Sequence, residues 1–111
     1  MPLAKESLPV KEYDVFVPLR YNDGSPIEGR KLQRLQARLL EQFDGVTFFP
    51  QPNEGLWKFG GVVYRDEIVV YRILTDKVRS ARKFLSELKV DLRRQLRQEE
   101  ILIIERNVEL L

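Results

Sequence analysis

Ile68-Val69-Val70-Tyr71-Arg72-Ile73-Leu74 and, nearer the C-terminus, Ile101-Leu102-Ile103-Ile104 carry apolar side chains at nearly every position. Successive side chains on a strand point to opposite faces, so such runs place apolar groups on both sides of a sheet. The rest of the chain offers two helical patterns, enough to cover one face. The other face requires a cover from elsewhere. The sequence therefore predicts self-association or a partner.

Working outward from these runs, a first strand is expected over 13–20, with Val15, Val17 and Leu19 on one side and Phe16 and Pro18 on the other. A proline suits an edge or a bulge. Asn22-Asp23-Gly24 signals a turn. Ser25 as N-cap, Pro26 at the first helical position and Glu28 three residues after Ser25 form a capping box. Leu32, Leu35, Leu39 and Phe43 then recur at helical spacing, and Gly45 is expected as a left-handed cap. A short strand over 46–50 leads into a loop over 51–55. Trp57-Lys58-Phe59, Gly60-Gly61 and Val62-Val63-Tyr64 form a hairpin tip. A strand over 67–75 follows, then Asp76 as the cap of a long helix striped by Val78, Ala81, Leu85, Leu88, Leu92 and Leu96. The last strand is expected over 100–106.

The order β-α-β-β-α-β is the split unit of ferredoxin-like α+β folds. Right-handed crossovers then predict a four-stranded antiparallel sheet in the order 4-1-3-2, with both helices on one face. Residues 1–11 read as a flexible leader and 12–111 as a single domain.

The composition excludes more chemistry than it suggests. With no cysteine and no histidine, disulfides, thiolate zinc sites, Cys nucleophiles and imidazole acid–base catalysis drop out. Carboxylates, Lys, Arg, Tyr and hydroxyls remain, and any metal would be a hard, oxygen-liking ion such as magnesium. No catalytic residue, cofactor or metal-ligating set is assigned. No apolar run reaches the roughly 20 residues of a membrane span, and the first residues lack the apolar core of a signal peptide. The expectation is a cytoplasmic protein without membrane contact.

The predicted topology brings several strand ends to one edge, where Arg20, Trp57, Tyr64, Arg65, Asp66, Glu67, Glu99 and Glu100 gather, with Glu54 nearby. Crowded carboxylates can do acid–base work or hold magnesium; solvated strand-end acids paired with arginine account for the same pattern. Trp57, among glycines, is suited to stacking on a planar ligand or anchoring a partner, and equally to the core.

On the second helix Arg79, Arg82, Lys83, Lys89, Arg93, Arg94 and Arg97 fall on one flank. The helical segments carry a net charge of +7 and the rest of the chain −5, within an overall +2. A basic stripe is the footprint expected for a phosphate backbone. A solvated surface is the other reading, and the glycine–aromatic signature of an RNA-binding sheet is missing.

Four short stretches carry a family resemblance: Phe43-Asp44-Gly45-Val46-Thr47; Gly55-Leu56-Trp57; Gly61-Val62-Val63 followed by Asp66 and Glu67; and Arg97-Gln98-Glu99-Glu100-Ile101. In these the chain resembles small uncharacterised bacterial proteins of predicted ferredoxin-like fold, over residues 13–106. The resemblance implies the fold and directs attention to Trp57 and Gln98-Glu99-Glu100. It implies no reaction.

The functional expectation is a binding or assembly module. It would form a homodimer through the sheet face opposite its helices, burying Phe16 or Val17, residues of 68–74 and part of 101–104. The alternatives are nucleic-acid binding along the basic helix, and a small cofactor-free or magnesium-assisted enzyme with a site at the Trp57 and Glu100 edge.

Overall fold

A computed structural model describes residues 10–111. The elements are β1 (Val10–Pro18), α1 (Gly29–Gln42), β2 (Val46–Phe59), β3 (Val62–Thr75), α2 (Val78–Gln95) and β4 (Ile103–Val108). They build one four-stranded sheet in the order β2-β3-β1-β4, every pairing antiparallel. Read from its other edge this is the expected 4-1-3-2, and the fold is α+β, ferredoxin-like.

Both helices pack on one face because each carries a single apolar stripe. Leu35 and Leu39 of α1, and Ala81, Leu85, Leu88 and Leu92 of α2, join Tyr13, Val15, Val17, Val69, Tyr71 and Ile73 in one core cluster. Ile101 and Leu96 close its end. Phe43 meets Phe84 edge-on at 5.5 Å between ring centroids, tying the end of α1 to α2.

Several local expectations are corrected. β1 starts at Val10, so Val10 and Lys11 belong to the sheet, while the first nine residues of the expected leader lie outside the described residues. α1 begins at Gly29 and Ser25 does not cap it. Asp23 instead accepts bonds from the Ser25 amide (2.9 Å) and hydroxyl, closing a turn, and Pro26 sits in a bridge opposite Arg20. The side chain that would cap the helix is spent on the turn. Gly45 is not among the left-handed residues, and α1 ends through an extended Phe43. Asp76 does not cap α2; Thr75 Oγ1 accepts the Lys77 amide at 3.1 Å just before the helix.

The largest correction concerns β2. The loop expected over 51–55 is strand, so β2 and β3 form a hairpin of 14 residues a side. Pro50, Gln51 and Pro52 stand opposite the single residue Val69 in a bulge, after which the register resumes at Asn53. Two residues without N–H groups interrupt the ladder, but they do not end it. Gly60 and Gly61, at φ +58° and +81°, make the tight turn that was expected there.

Candidate interaction surface

β1 pairs with β3 as far as Pro18 opposite Ile68, and the Leu19 amide reaches the Glu67 carbonyl. Beyond that point β2 and β3 continue alone as a two-stranded arm. Residues directly opposite one another in an antiparallel pair share a face. Hence Trp57 with Tyr64, and Phe59 with Val62, lie on the face that carries Ile68, Val70 and Arg72. That is the sheet face without helices. Leu56 and Val63 lie on the other side of the arm, and all six apolar residues are exposed, Phe59 at 79% and Trp57 at 59%.

The arm's polar groups are paired locally. The Trp57 indole N–H donates to Asp66 at 2.9 Å, Arg65 meets Glu54 at 3.3 Å, and at the arm's root Arg20 meets Glu67 at 3.3 Å. Glu100 is held elsewhere, by Lys89 at 3.0 Å and by the Ile101 amide, which together pull its pKa down. The expected edge is therefore divided. Trp57, Tyr64, Arg65, Asp66 and Glu67 stand on the arm with Arg20 at its base, and among the described residues no hydrogen bond or ion pair joins Glu99 or Glu100 to them. Glu54, Asp66, Glu67 and Glu100 are each engaged by a separate partner, and no group of three or more acidic residues positioned to hold a metal occurs among the described residues.

The open face is not uniformly apolar, contrary to the reading of 68–74. Asp14 of β1 accepts two bonds from Arg72 across the strand pair, at 2.8 and 3.0 Å, and a third from Arg106 of β4 at 2.9 Å. Glu12 meets Arg106 at 3.1 Å and Arg72 at 3.3 Å. The two guanidinium groups cover Asp14 so fully that its side chain is 3% exposed without any helix above it. The bonds from Arg72 hold its pKa below the ordinary carboxylate range, against the opposing effect of burial. Arg72 also lies over the Phe49 ring, 4.9 Å from its centroid.

This charged band crosses the middle of the open face. Phe16, Val70, Phe49 and Ile68 lie beside it toward the arm, and Ile104 pairs with Asp14 on β4. Val17 and Ile101, placed in the expected interface, are under the helices instead, at 0% and 1% exposure. The apolar surface thus runs from Phe16 and Phe49 out along Trp57, Tyr64, Phe59 and Val62.

On the helical side the basic flank is partly spent on internal pairs. Arg82 makes two bonds to Glu105, at 2.7 and 2.8 Å, and Tyr13 donates to the same carboxylate at 2.8 Å. Those donors bring Glu105 down to about 2, while burial, reinforced by Glu105, pushes the Tyr13 phenol up to about 12. Arg94 and Arg38 share Asp91. Arg79, Lys83, Arg93 and Arg97 form no ion pair within 4.0 Å among the described residues.

No model of a known protein family matches the chain, and no curated protein matches it in sequence. Solved structures do match in shape. A phage SAM lyase in complex with S-methyl-5′-thioadenosine superposes with a TM-score of 0.68 at 14% identity, covering 96% of this chain and 87% of that one. CutA1 from Oryza sativa gives a TM-score of 0.63 at 17% identity, covering 95% and 84%. At such identities the likeness speaks for the ferredoxin-like fold alone. No helix among the described residues is long and apolar enough to cross a membrane.

Proposed function

We propose that this protein is a cytoplasmic assembly module whose copies associate through the open sheet face and the β2–β3 arm. One observation carries the reading: a two-stranded ribbon that exposes Trp57, Phe59, Val62 and Tyr64 on the same side as the uncovered sheet. A lone hairpin is marginally stable in water, and contiguous apolar surface of this kind marks an interaction site. Fully burying one such side chain contributes about 1.5–3 kcal/mol. The gain from the four arm residues with Phe16, Phe49 and Ile68, made by both copies, is set against the freedom lost on association, about 4–15 kcal/mol.

The occupant that fits is a second copy. The charged band of Glu12, Asp14, Arg72 and Arg106 is balanced in sign and bonded within itself. It presents no net charge to repel an identical face. Light scattering after size exclusion tests this: an oligomeric mass at micromolar concentration supports it, and a monomer throughout overturns it.

A second reading has its own observation. Trp57 and Tyr64 stand opposite each other, both exposed, with Asp66 on the indole N–H, an arrangement suited to stacking a planar, weakly basic ligand. The phage enzyme of similar shape binds S-methyl-5′-thioadenosine, so that compound is the first probe. Saturable quenching of Trp57 fluorescence would favour a ligand-binding or enzymatic role at the arm; unchanged emission removes this reading.

A further inference from the structure

The assembly reading leaves the helical surface unused, and that surface has an order the sequence projection only partly reveals. Arg79, Lys83, Ser86, Val90, Arg93 and Arg97 follow one another at spacings of three or four residues along α2 and its C-terminal turn. At about 100° per residue the first five fall on one narrow stripe, and Arg97, left-handed at φ +52° just past the C-cap Leu96, stands at its end. All six are exposed, and the stripe contains no acidic residue. Its four cations make no ion pair within 4.0 Å among the described residues, whereas Arg82, Lys89 and Arg94, off the stripe, are bound to Glu105, Glu100 and Asp91. The stripe's cations are those left out of close ion pairs, although Arg93 acts at longer range on Glu100 and Arg97 on Asp23.

Each end of the stripe is built differently. At the start of α2, Lys77, Arg79 and Lys83 line an open concavity of ≈ 740 Å³ together with Asp76, Val78, Ser80 and Lys11, whose amine is turned toward Glu105 and Asn107. At the far end the Arg97 guanidinium lies over the Tyr21 ring, 5.0 Å from its centroid, which fixes the plane of the group and leaves its in-plane N–H groups as donors. Arg79 and Arg93 are 14 residues apart, about 21 Å along the helix. A single small anion cannot span that distance. A linear polyanion can, and a run of phosphodiesters supplies negative charge at intervals of a few ångströms.

We infer that the Arg79–Lys83–Arg93–Arg97 stripe binds the phosphate backbone of nucleic acid without reading its sequence. The stripe contains no aromatic side chain for base stacking and no Asn or Gln for base edges, so positioning on the backbone is what its chemistry provides. The inference does not depend on self-association, since the stripe and the arm lie on opposite layers of the molecule.

The test is fluorescence anisotropy of the full chain with a labelled DNA duplex and a labelled single-stranded RNA, across about 50 to 200 mM salt. Binding to either is expected, with a log–log salt slope of about −3 to −4 if all four cations engage phosphates. The triple variant Arg79→Gln, Lys83→Gln, Arg93→Gln should bind at least about ten-fold more weakly with a slope shallower by about 2–3 units, while keeping the wild-type melting temperature and oligomeric mass. A triple variant that binds like wild type overturns the inference. So does a slope shallower than about −1, or binding to phosphatidylserine vesicles but to neither nucleic acid.

Discussion

Arg72 and Asp14 face each other across β3 and β1 with two bonds of 2.8 and 3.0 Å, on the side of the sheet that no helix covers. The pair is shielded by its own guanidinium groups and extended by Arg106 and Glu12. An open sheet face is thereby given a polar centre that is satisfied before any partner arrives, so that association can bury it without leaving a charge unpaired.

Replacing Arg72 by Met removes two of the three side-chain bonds to Asp14 and leaves a nearly buried carboxylate with Arg106 alone. A loss of about 2 kcal/mol is expected, read from urea denaturation. The double change Asp14→Asn, Arg72→Met should recover part of it, since the stranded charge is then gone. Equal stability of the single variant and wild type would show that the pair has no structural weight.

Acid should weaken the fold through its depressed carboxylates, Asp14 and Glu105 among them. Asp14 and Glu105 both have folded pKa values below their unfolded ones, Glu105 at about 2. A depressed carboxylate contributes stability that is complete above its unfolded pKa and is lost as pH falls through the folded value. The urea midpoint should therefore drop steadily from about pH 5 toward pH 2. Glu105→Gln should start lower at neutral pH and fall less steeply over that range. At the alkaline end, Tyr13 is raised to about 12, so its contribution is present below the unfolded value near 10 and is lost as pH rises through 12; Tyr13→Phe removes that alkaline loss.

Arg97 is the one described residue other than glycine with positive φ, at +52°. It follows Leu96, the C-cap of α2, and the Gln98 amide bonds back to the Arg93 carbonyl at 2.9 Å, the pattern that normally ends on glycine. Arg97→Gly and Arg97→Ala both lose the contact with Tyr21, so their difference isolates the backbone. The Gly variant should be the more stable by about 0.5–1 kcal/mol in thermal or urea melts. An Ala variant at least as stable would show that the left-handed turn carries no strain.

The arm can be weakened without touching the core. Phe59→Ser with Val62→Ser removes two exposed apolar groups next to the turn and should weaken association at least about ten-fold, equivalent to about 1.4 kcal/mol. Dissociation constants from sedimentation equilibrium check this, and circular dichroism should retain the wild-type spectrum. Unchanged association would remove the arm tip from the interface.

What could be read from the sequence followed the periodicity of apolar residues. Leu35 and Leu39, Leu85 to Leu92, and the alternation through Val15 and Val17 locate the layer between helices and sheet, and Gly60-Gly61 marks its turn. Pairings between distant residues could not be read the same way. Arg72 interrupts an apolar run, and nothing local to it points to Asp14, 58 residues away. Pro50 and Pro52 suggest a loop because each lacks a ladder donor, yet Asn53 resumes the pairing because β3 offers an unbroken strand opposite. Ser25 carries a capping signature that Asp23, two residues earlier, pre-empts. The candidate edge was legible as a set of residues but not as geometry: it divided because the arm carries Trp57 to Glu67 outward while Lys89 keeps Glu100 on the helical side.

Trp57 is the only tryptophan of the chain and sits in the middle of the arm, so its emission reports directly on whether the arm is covered. The decisive measurement is light-scattering mass together with Trp57 emission over a dilution series through the micromolar range. A mass of two or more chains with blue-shifted emission is expected at the upper end, both reverting together on dilution and absent in the Phe59→Ser, Val62→Ser variant. A monomeric mass at every concentration, with the red-shifted emission of a solvated indole, would contradict it.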